Sequence, residues 1–230
     1  MNESLAGLAL AVLVFVGSHV LVSSTPLRGV LVRILGETGY TIAYSAMSAA
    51  ALVWVGWAYR AAPYEELWAP AAWARWVPIL VMPVASIFLV AGLTTPNPTA
   101  VGGDRLAGRG EPVTGILKVT RHPLMWAFSL WAMAHIPING DAASLFLFGS
   151  MLVLALVGQP LIDRKKKARL GADWDRLAAV SSCLPFAALL SGRTRVSLAE
   201  IGWHRIAIGL VLYLGLLDFH GRFIGVSPLP

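Results

Sequence analysis

The sequence is poor in cysteine and in charge. Cys183 is the only cysteine, so no disulfide can form within the chain, and the paired-cysteine spacings of zinc and redox sites are absent. The glycine-rich loops that bind nucleotides and the serine motif of hydrolases are missing as well. Charged residues make up only 13% of the 230 residues, about half the share found in a soluble domain. These absences argue against the common classes of soluble enzyme.

What the sequence has instead is apolar length. Hydrophobic residues make up 57% of the chain and the mean hydropathy is +0.70, which is more apolar surface than a soluble globule of this size can bury. A bilayer solvates such surface, and a closed barrel would show short alternating segments rather than continuous runs. We therefore predict an all-α, polytopic transmembrane bundle that forms a single domain over residues 1–230. About six spans are predicted, over residues 5–22, 40–58, 77–93, 123–136, 142–161 and 201–219.

The basic residues are concentrated in alternate loops between these runs. Because Lys and Arg mark cytoplasmic loops, their distribution predicts that both termini face outward, and it argues against nucleic-acid binding despite the net charge of +6. Residues 163–185 are predicted to form a basic cytoplasmic surface helix between spans five and six, either as a topology anchor or against anionic headgroups. Fifteen of the 18 basic residues lie on the predicted cytoplasmic side: Arg28, Arg33, Arg105, Arg109, Lys118, Arg121, Arg164, Lys165, Lys166, Lys167, Arg169, Arg176, Arg193, Arg195 and Arg205.

Two histidines lie inside predicted spans, where polar side chains need a partner. His19 is near the end of the first span and His135 is in the fourth. Either each imidazole hydrogen-bonds between helices, or the two ligate a haem iron as a pair. Their predicted depths differ, because His135 lies about 20 Å from the cytoplasmic start of its helix whereas His19 lies near the cytoplasmic side. A shared haem therefore requires that spans four and five form a shallow or tilted hairpin.

The tripeptide Arg121-His122-Pro123 precedes the fourth span. Pro123 suits the first position of a helix, so Arg121 and His122 are expected beside free backbone N–H groups. Such a site suits an anion, for example a carboxylate or a haem propionate. The alternative is an interfacial pair that anchors the helix end. The remaining candidates are given lesser roles: His204 and His220 at the interface, Glu37, Asp141 and Asp218 as partners for Arg or His, Asp141 as a helix N-cap, and Cys183 as structural.

Two stretches carry a resemblance to a known family. They are TRHPLMWAFSLWAMAH at residues 120–135 and NGDAASLFLFG at residues 139–149, with Gly17-Ser18-His19 near the start. These residues closely resemble the NnrU family of bacterial membrane proteins, and the resemblance runs from about residue 5 to the end. It implies a single NnrU-like transmembrane domain in the bacterial inner membrane, with a role linked to denitrification and nitric oxide metabolism.

The same resemblance implies a cofactor. The 15-cis-ζ-carotene isomerases belong to this superfamily and are membrane haem b proteins, whose axial histidines fall in the motifs that match His19 and His135 here. The resemblance thus implies haem b bound by these two residues, with Arg121 and His122 near the propionates or the substrate entrance. It also implies isomerisation of a hydrophobic polyene as one activity. Ala132 stands where some isomerases have a cysteine, so an exchange of ligand to that cysteine is not available.

A more distant resemblance suggests a different cofactor. Arg121-His122-Pro123, followed by residues 170–174 and Leu184-Pro185, is similar to the C-terminal pattern of isoprenylcysteine carboxyl methyltransferases. This similarity implies S-adenosylmethionine, with its carboxylate near Arg121 and His122, although the usual glutamate pair is replaced by lysines at 165–167. A third hypothesis is a non-enzymatic assembly or regulatory factor. The expected partners are the lipid bilayer, a hydrophobic substrate and a respiratory membrane protein.

Overall fold

The computed structural model describes residues 4–100, 103, 106 and 113–229, and these residues form helices and loops without a named β-strand. The all-α prediction is therefore confirmed. Besides a short 3₁₀ helix at Ala72–Arg75, the helices are α1 (Leu5–Ser24), α2 (Leu27–Ala61), α3 (Trp76–Thr94), α4 (Ile116–Val119), α5 (Pro123–Asn139), α6 (Ala142–Leu170), α7 (Ala172–Val180), α8 (Ala187–Leu190), α9 (Leu198–Ile201) and α10 (Trp203–Phe223).

Within the described residues, five helical segments are long and apolar enough to cross a bilayer: Leu5–Ser24, Leu27–Ala61, Ala72–Thr94, Ala142–Leu170 and Trp203–Phe223. The protein is thus a multi-pass membrane protein. The fourth predicted span corresponds to α5, whose 17 residues extend about 25 Å, less than the apolar thickness of about 30 Å. The count of six and the outward orientation of both termini stay predictions. Arg105 and Arg109, which support that orientation, lie outside the described residues.

The basic segment after the fifth predicted span differs from the prediction. Residues 163–170 continue α6 without a break, and Pro160 lies inside this helix. A separate helix begins only after Gly171, which has a φ of 54°. The predicted surface helix of residues 163–185 is therefore two elements: the end of a spanning helix, and the short α7, which ends at Val180.

The chain divides into two compact units. Unit one contains Met1–Pro70 and His135–Leu154, so it holds α1, α2 and parts of α5 and α6. Its core is built mainly from small and aliphatic side chains, and Phe15 is the one aromatic among them. The α2 helix is interrupted at Gly36, whose φ of 73° and ψ of 165° are not helical. The buried core residues are Leu8, Ala11, Val12, Phe15, Ala51, Val55 and Ala143.

A tight turn in unit one connects α5 to α6. The backbone N–H groups of Leu67 and Trp68 donate to the carbonyl of Gly140 at 2.8 and 3.0 Å, and the Trp68 indole donates to the carbonyl of Pro137 at 3.4 Å. Gly140 has a φ of 56°, and a Cβ atom there would lie 2.2 Å from the Trp68 carbonyl oxygen. Glycine is therefore required at this position on both conformational and steric grounds.

Unit two contains Ala71–Ala134 and Ala155–Pro230. Helices α3 and α10 pack closely in unit two. The approach is so close that a Cβ at Gly209 would lie 2.7 Å from the Cα of Ile87. Small residues allow such close contact between membrane helices. Its core joins α3 to the short helices near residues 116–119 and 198–201. The buried residues of this core are Phe88, Ala91, Ile116, Leu117, Val119, Ala127 and Ile201.

Candidate functional site

A charged cluster lies in unit two, where the loop before α5 meets α6. The guanidinium of Arg121 donates through Nε to both carboxylate oxygens of Asp163, at 3.0 and 2.9 Å, and through Nη2 to Oδ2 at 2.5 Å. The imidazole Nε2 of His122 lies 2.6 Å from Oδ1. His122 is only 3% exposed. One carboxylate thus serves two basic side chains that are largely removed from water.

Arg121 is fixed from several directions. Its backbone carbonyl accepts hydrogen bonds from the side-chain amide of Asn97 at 3.2 Å and from the hydroxyl of Thr99 at 2.9 Å. The ring of Trp174 in α7 lies 5.3 Å from the guanidinium carbon, close enough for a cation–π contact. Since both its backbone and its charged end are held, Arg121 has little freedom to turn toward another anion.

Cys183 is held against the same cluster. Its carbonyl accepts hydrogen bonds from the hydroxyl of Thr120 at 2.7 Å and from the indole of Trp126 at 2.8 Å. Its Sγ lies 3.0 Å from Oε1 of Gln159. Gln159 is 1% exposed, and its Nε2 has no hydrogen-bond partner in the part of the chain that the structure describes. A buried amide nitrogen without an acceptor is uncommon and needs an explanation.

Three side chains that can bind a metal converge here. One ligand atom each of His122, Asp163 and Cys183 lies within 4.8 Å of the other two. Burial raises the pKa of the Cys183 thiol, the carboxylate of Asp163 raises it further, and the guanidinium of Arg121 opposes both effects. Without a cation, the thiol therefore keeps its proton more firmly than an exposed cysteine does.

The structure brings the predicted pair Arg121 and His122 together but gives them an unpredicted partner. Asp163 already balances the charge of Arg121, so a haem propionate or the carboxylate of a methyl donor would have to displace it. The roles of both residues toward a cofactor stay predictions. The signal that could have revealed Asp163 is its position, since an acidic residue at the end of an apolar run, directly before four basic ones, needs a reason to be there.

Two of the acidic residues that were expected to be partners for Arg or His have contacts in unit one, and Glu37 confirms that expectation. Glu37 pairs with Arg28 at 2.8 Å. The Oδ1 of Asp141 accepts the backbone N–H of Ser144 at 2.9 Å, which confirms Asp141 as the N-cap of α6. Both contacts lie in unit one, whereas Arg121 belongs to unit two. The partner of the central arginine thus had to be found from the fold.

The histidines of unit one lie among aromatic rings. The Nδ1 of His19 lies 2.7 Å from the carbonyl of Phe15, and its ring centroid lies 4.5 Å from that of Phe15 and 5.6 Å from that of Tyr44. His135 stacks on Phe148 in α6, with ring centroids 5.1 Å apart. When Nδ1–H donates to a carbonyl, Nε2 is left as the atom that can bind a metal. His19 is arranged in this way.

The register along α2 gives the depth of both histidines. The ring of His19 contacts that of Tyr44 in α2. The ring of His135 stacks on Phe148 in α6, which lies one turn after Ser144. The hydroxyl of Ser144 lies 3.0 Å from that of Tyr59. Tyr44 and Tyr59 are separated by roughly 22 Å along α2, and Phe148 lies about 6 Å back from the level of Tyr59. Because both contacts are made by the rings, the imidazoles of His19 and His135 lie at levels about 16 Å apart.

The direction of each side chain is already included in this separation, because the contacts that define it are made by the rings. Side chains on a helix lean toward its N-terminus. In α1 this brings the imidazole of His19 toward Phe15, as its contact with the Phe15 carbonyl shows. In α5 it carries the imidazole of His135 away from the turn at Asn139. Each ring thus leans from its own backbone toward the layer between them, but a group held by both would need α1 and α5 to bring the rings closer together, as the predicted tilted hairpin would.

The other histidines lie outside both clusters. His204 is exposed at the beginning of α10. The Nδ1 of His220, near the end of the same helix, lies 2.9 Å from the carbonyl of Val226. The contact of His220 does not involve a residue of the Asp163 cluster. Both positions agree with their expected lesser role at the ends of the last span.

Comparisons with known proteins agree with the sequence motifs. Part of the chain is 31% identical over 83 residues to the chloroplastic 15-cis-zeta-carotene isomerase of Zea mays, which covers 36% of this chain and 23% of that protein. It is 32% identical over 80 residues to the corresponding protein of Arabidopsis thaliana, covering 35% and 22%. The chain thus matches less than a quarter of the length of these relatives. No solved structure matches it. The family model described as NnrU protein matches residues 7–228, so the chain belongs to the NnrU family.

Proposed function

We propose that this protein binds haem b in unit one, between His19 and His135, and isomerises a hydrophobic polyene within the bilayer. The observation that carries the proposal is a pair of histidines on different helices of unit one, each packed against aromatic rings, with Nδ1 of His19 held by the Phe15 carbonyl so that its Nε2 can bind iron. The similarity to two proteins named 15-cis-zeta-carotene isomerase supports the choice of reaction. A multi-pass fold supports a substrate that partitions into lipid, and the family resemblance supports the bacterial inner membrane as its location.

The donor chemistry of this chain fits haem. Imidazole is a common axial ligand of haem iron, and both candidate ligands come from helices of unit one. The carbonyl of Phe15 accepts the Nδ1–H hydrogen bond and fixes the tautomer of His19, as a partner of a ligating histidine generally does. Haem b, when bound, would supply an iron centre with redox and ligand-exchange chemistry. The protein would orient that centre and keep water away from it.

The two histidines are held with different firmness. His19 is fixed by the backbone carbonyl of Phe15, 2.7 Å away. His135 lies two residues before Pro137, which is inside α5 and cannot donate the backbone hydrogen bond that would join this turn to the preceding one. His19 and His135 would both hold the haem iron, so one of them would have to yield for the iron to act on a substrate. His135 is the one that the helix geometry allows to move.

The ligand assignment is tested by purifying the protein in detergent and measuring haem with a pyridine haemochrome spectrum. We expect about one haem b per chain, and loss of the Soret absorbance in His19→Ala. His135→Ala should retain less haem than the wild type. His204→Ala is the matched control, because it removes an exposed histidine of the same chain. A colourless wild-type protein from haem-replete cells, or unchanged haem content in both ligand variants, would overturn the assignment.

The reaction is tested in cells that accumulate a polyene with a 15-cis double bond. Co-expression of the protein should shift the pigment toward the trans configuration at that bond, which chromatography of the extracts measures. His19→Ala should abolish the shift, whereas His204→Ala should not. If haem binds but the pigment is unchanged, the isomerase activity is wrong. Loss of nitric oxide consumption in membranes that lack the protein would then assign the haem to nitrogen oxide metabolism, as the family resemblance implies.

A further inference from the structure

We propose that His122, Asp163 and Cys183 in unit two form a binding site for a divalent transition metal of the zinc type. This site uses neither of the proposed iron ligands, His19 and His135. Its donor set of one imidazole, one carboxylate and one thiolate is of the kind that Zn²⁺ prefers. Mg²⁺ and Ca²⁺ prefer oxygen ligands alone, so the cysteine argues for a softer ion.

The distances are close to those of a metal site. The ligand atoms of the three residues lie within 4.8 Å of one another, and Nε2 of His122 is 2.6 Å from Oδ1 of Asp163. In a tetrahedral zinc site with bonds of about 2.0–2.3 Å, ligand atoms are roughly 3.3–3.8 Å apart. The imidazole and carboxylate would separate slightly, and the thiolate would move inward by about 1 Å. Rotation of the side chains suffices for shifts of this size.

Gln159 provides an independent indication of a missing partner. Its side chain is 1% exposed and reaches the cluster through Oε1, which faces the Cys183 thiol, while Nε2 has no hydrogen-bond partner in the described residues. Metal binding releases the thiol proton to solvent and leaves a thiolate. A thiolate is an acceptor only, so the amide would turn over and donate Nε2–H to it. Gln159 would therefore donate to the proposed thiolate, and the metal proposal itself rests on the three converging ligand atoms.

The neighbouring groups would serve as an outer shell. Arg121 binds both oxygens of Asp163, which orients the carboxylate and leaves lone pairs for a metal. Outer-shell partners of this kind tune the ligands of metal sites. Together with Arg121, the carboxylate, the thiolate and a divalent ion would leave a net charge of only about +1. Three protein ligands leave the fourth tetrahedral position for water, as in sites where zinc is reactive rather than structural.

The test uses the full-length protein in detergent after treatment with a chelator. Added Zn²⁺ should bind at about one ion per chain, as measured by mass spectrometry after desalting and by competition with a chromophoric chelator. Added Co²⁺ should produce a thiolate-to-cobalt charge-transfer band, recorded as a difference from the same protein without cobalt so that any haem absorbance cancels. The readout is therefore independent of whether the protein binds haem.

Variants assign the ligands. Cys183→Ala should abolish the cobalt band, and Asp163→Asn should weaken Zn²⁺ binding at least tenfold, whereas His220→Gln, a control at the far end of α10, should leave both unchanged. If Asp163→Asn fails to fold, His122→Gln serves in its place. Absence of the cobalt band in folded wild-type protein would overturn the proposal, and so would equal Zn²⁺ affinity in wild type and Cys183→Ala. Either result would leave the cluster with a purely structural role.

Discussion

The two units place polar side chains in membrane helices in different ways. In unit one, the imidazole rings of His19 and His135 lie among aromatic side chains. In unit two, the polar centre is an ionic cluster in which Asp163 binds both Arg121 and His122. A neutral imidazole is tolerated beside apolar groups, whereas a buried charge must have a counter-charge. The surroundings of the two imidazoles in unit one are thus suited to a ligand. In unit two, the charged cluster stabilises the fold when no metal is bound to it.

The largest effect should come from removing the counter-charge in unit two. Asp163→Ala leaves Arg121 and His122 without an acceptor, and we expect a loss of about 3–5 kcal/mol in the free energy of unfolding. Denaturant unfolding in detergent, followed by circular dichroism, measures this loss. Asp173→Ala is the control, because Asp173 pairs with Arg176 on the surface of α7 and should cost at most about 0.5 kcal/mol. Equal losses in the two variants would show that the Asp163 cluster does not stabilise unit two.

The next largest effect should come from the turn in unit one. Gly140→Ala should destabilise the protein by about 3 kcal/mol, because it combines backbone strain with a steric clash against the Trp68 carbonyl. Gly171→Ala is matched to it, since Gly171 has a φ of 54° and nothing within 4 Å of an added Cβ. That variant should lose only about 1–2 kcal/mol. Thermal unfolding of both proteins in one detergent provides the comparison, and similar melting temperatures would contradict it.

Helix packing in unit two should respond more moderately. Gly209→Ala places a methyl group 2.7 Å from the Cα of Ile87, so α3 and α10 must move apart, at a cost of about 1–3 kcal/mol. Gly215→Ala lies on the same helix with nothing within 4 Å of the added atom and should be neutral or slightly stabilising. Thermal unfolding distinguishes them. A loss in Gly215→Ala that matched the loss in Gly209→Ala would argue against this close approach.

The smallest effect concerns Glu200, which lies in α9 outside the spans. Burial raises its pKa, but hydrogen bonds and charge from Lys118, with a further hydrogen bond from the backbone of Gly115, outweigh burial and lower the pKa. A depressed folded pKa stabilises the protein above the unfolded pKa, and this contribution is lost as pH falls through the folded value. We expect less than about 1 kcal/mol. Glu200→Gln should lose this contribution at pH 7 and show a flatter acid limb; an identical pH profile would contradict the expectation.

The sequence was sufficient for the helical membrane fold and for the N-cap at Asp141, because apolar length and capping chemistry are local properties. The NnrU family assignment was also possible, because it depends on a continuous motif at residues 120–149. The partner of Arg121 could not be found in this way, since Asp163 lies 42 residues away and meets it only after α5 and α6 have formed. The end of α6 was misplaced because a basic run signals a membrane boundary whether or not the helix ends there.

Depth was the least predictable property of the site. The sequence predicted that His19 and His135 lie at different levels, and the contacts with Tyr44 and Phe148 agree. What the sequence did not reveal is that both rings lean toward the layer between them, because that follows from the side-chain direction on each helix. A shared group therefore still requires the shallow or tilted hairpin of spans four and five.

We propose that one haem lies between His19 and His135. Electron paramagnetic resonance of the ferric protein tests this ligation most directly. Two axial histidines produce a low-spin ferric signal, and loss of one exposes the iron and favours a high-spin signal. The account predicts a low-spin wild type, a high-spin fraction that increases strongly in His135→Ala, and no change in the His204→Ala control. A wild-type protein without a haem signal, or a low-spin signal that persists unchanged in both His19→Ala and His135→Ala, would contradict it.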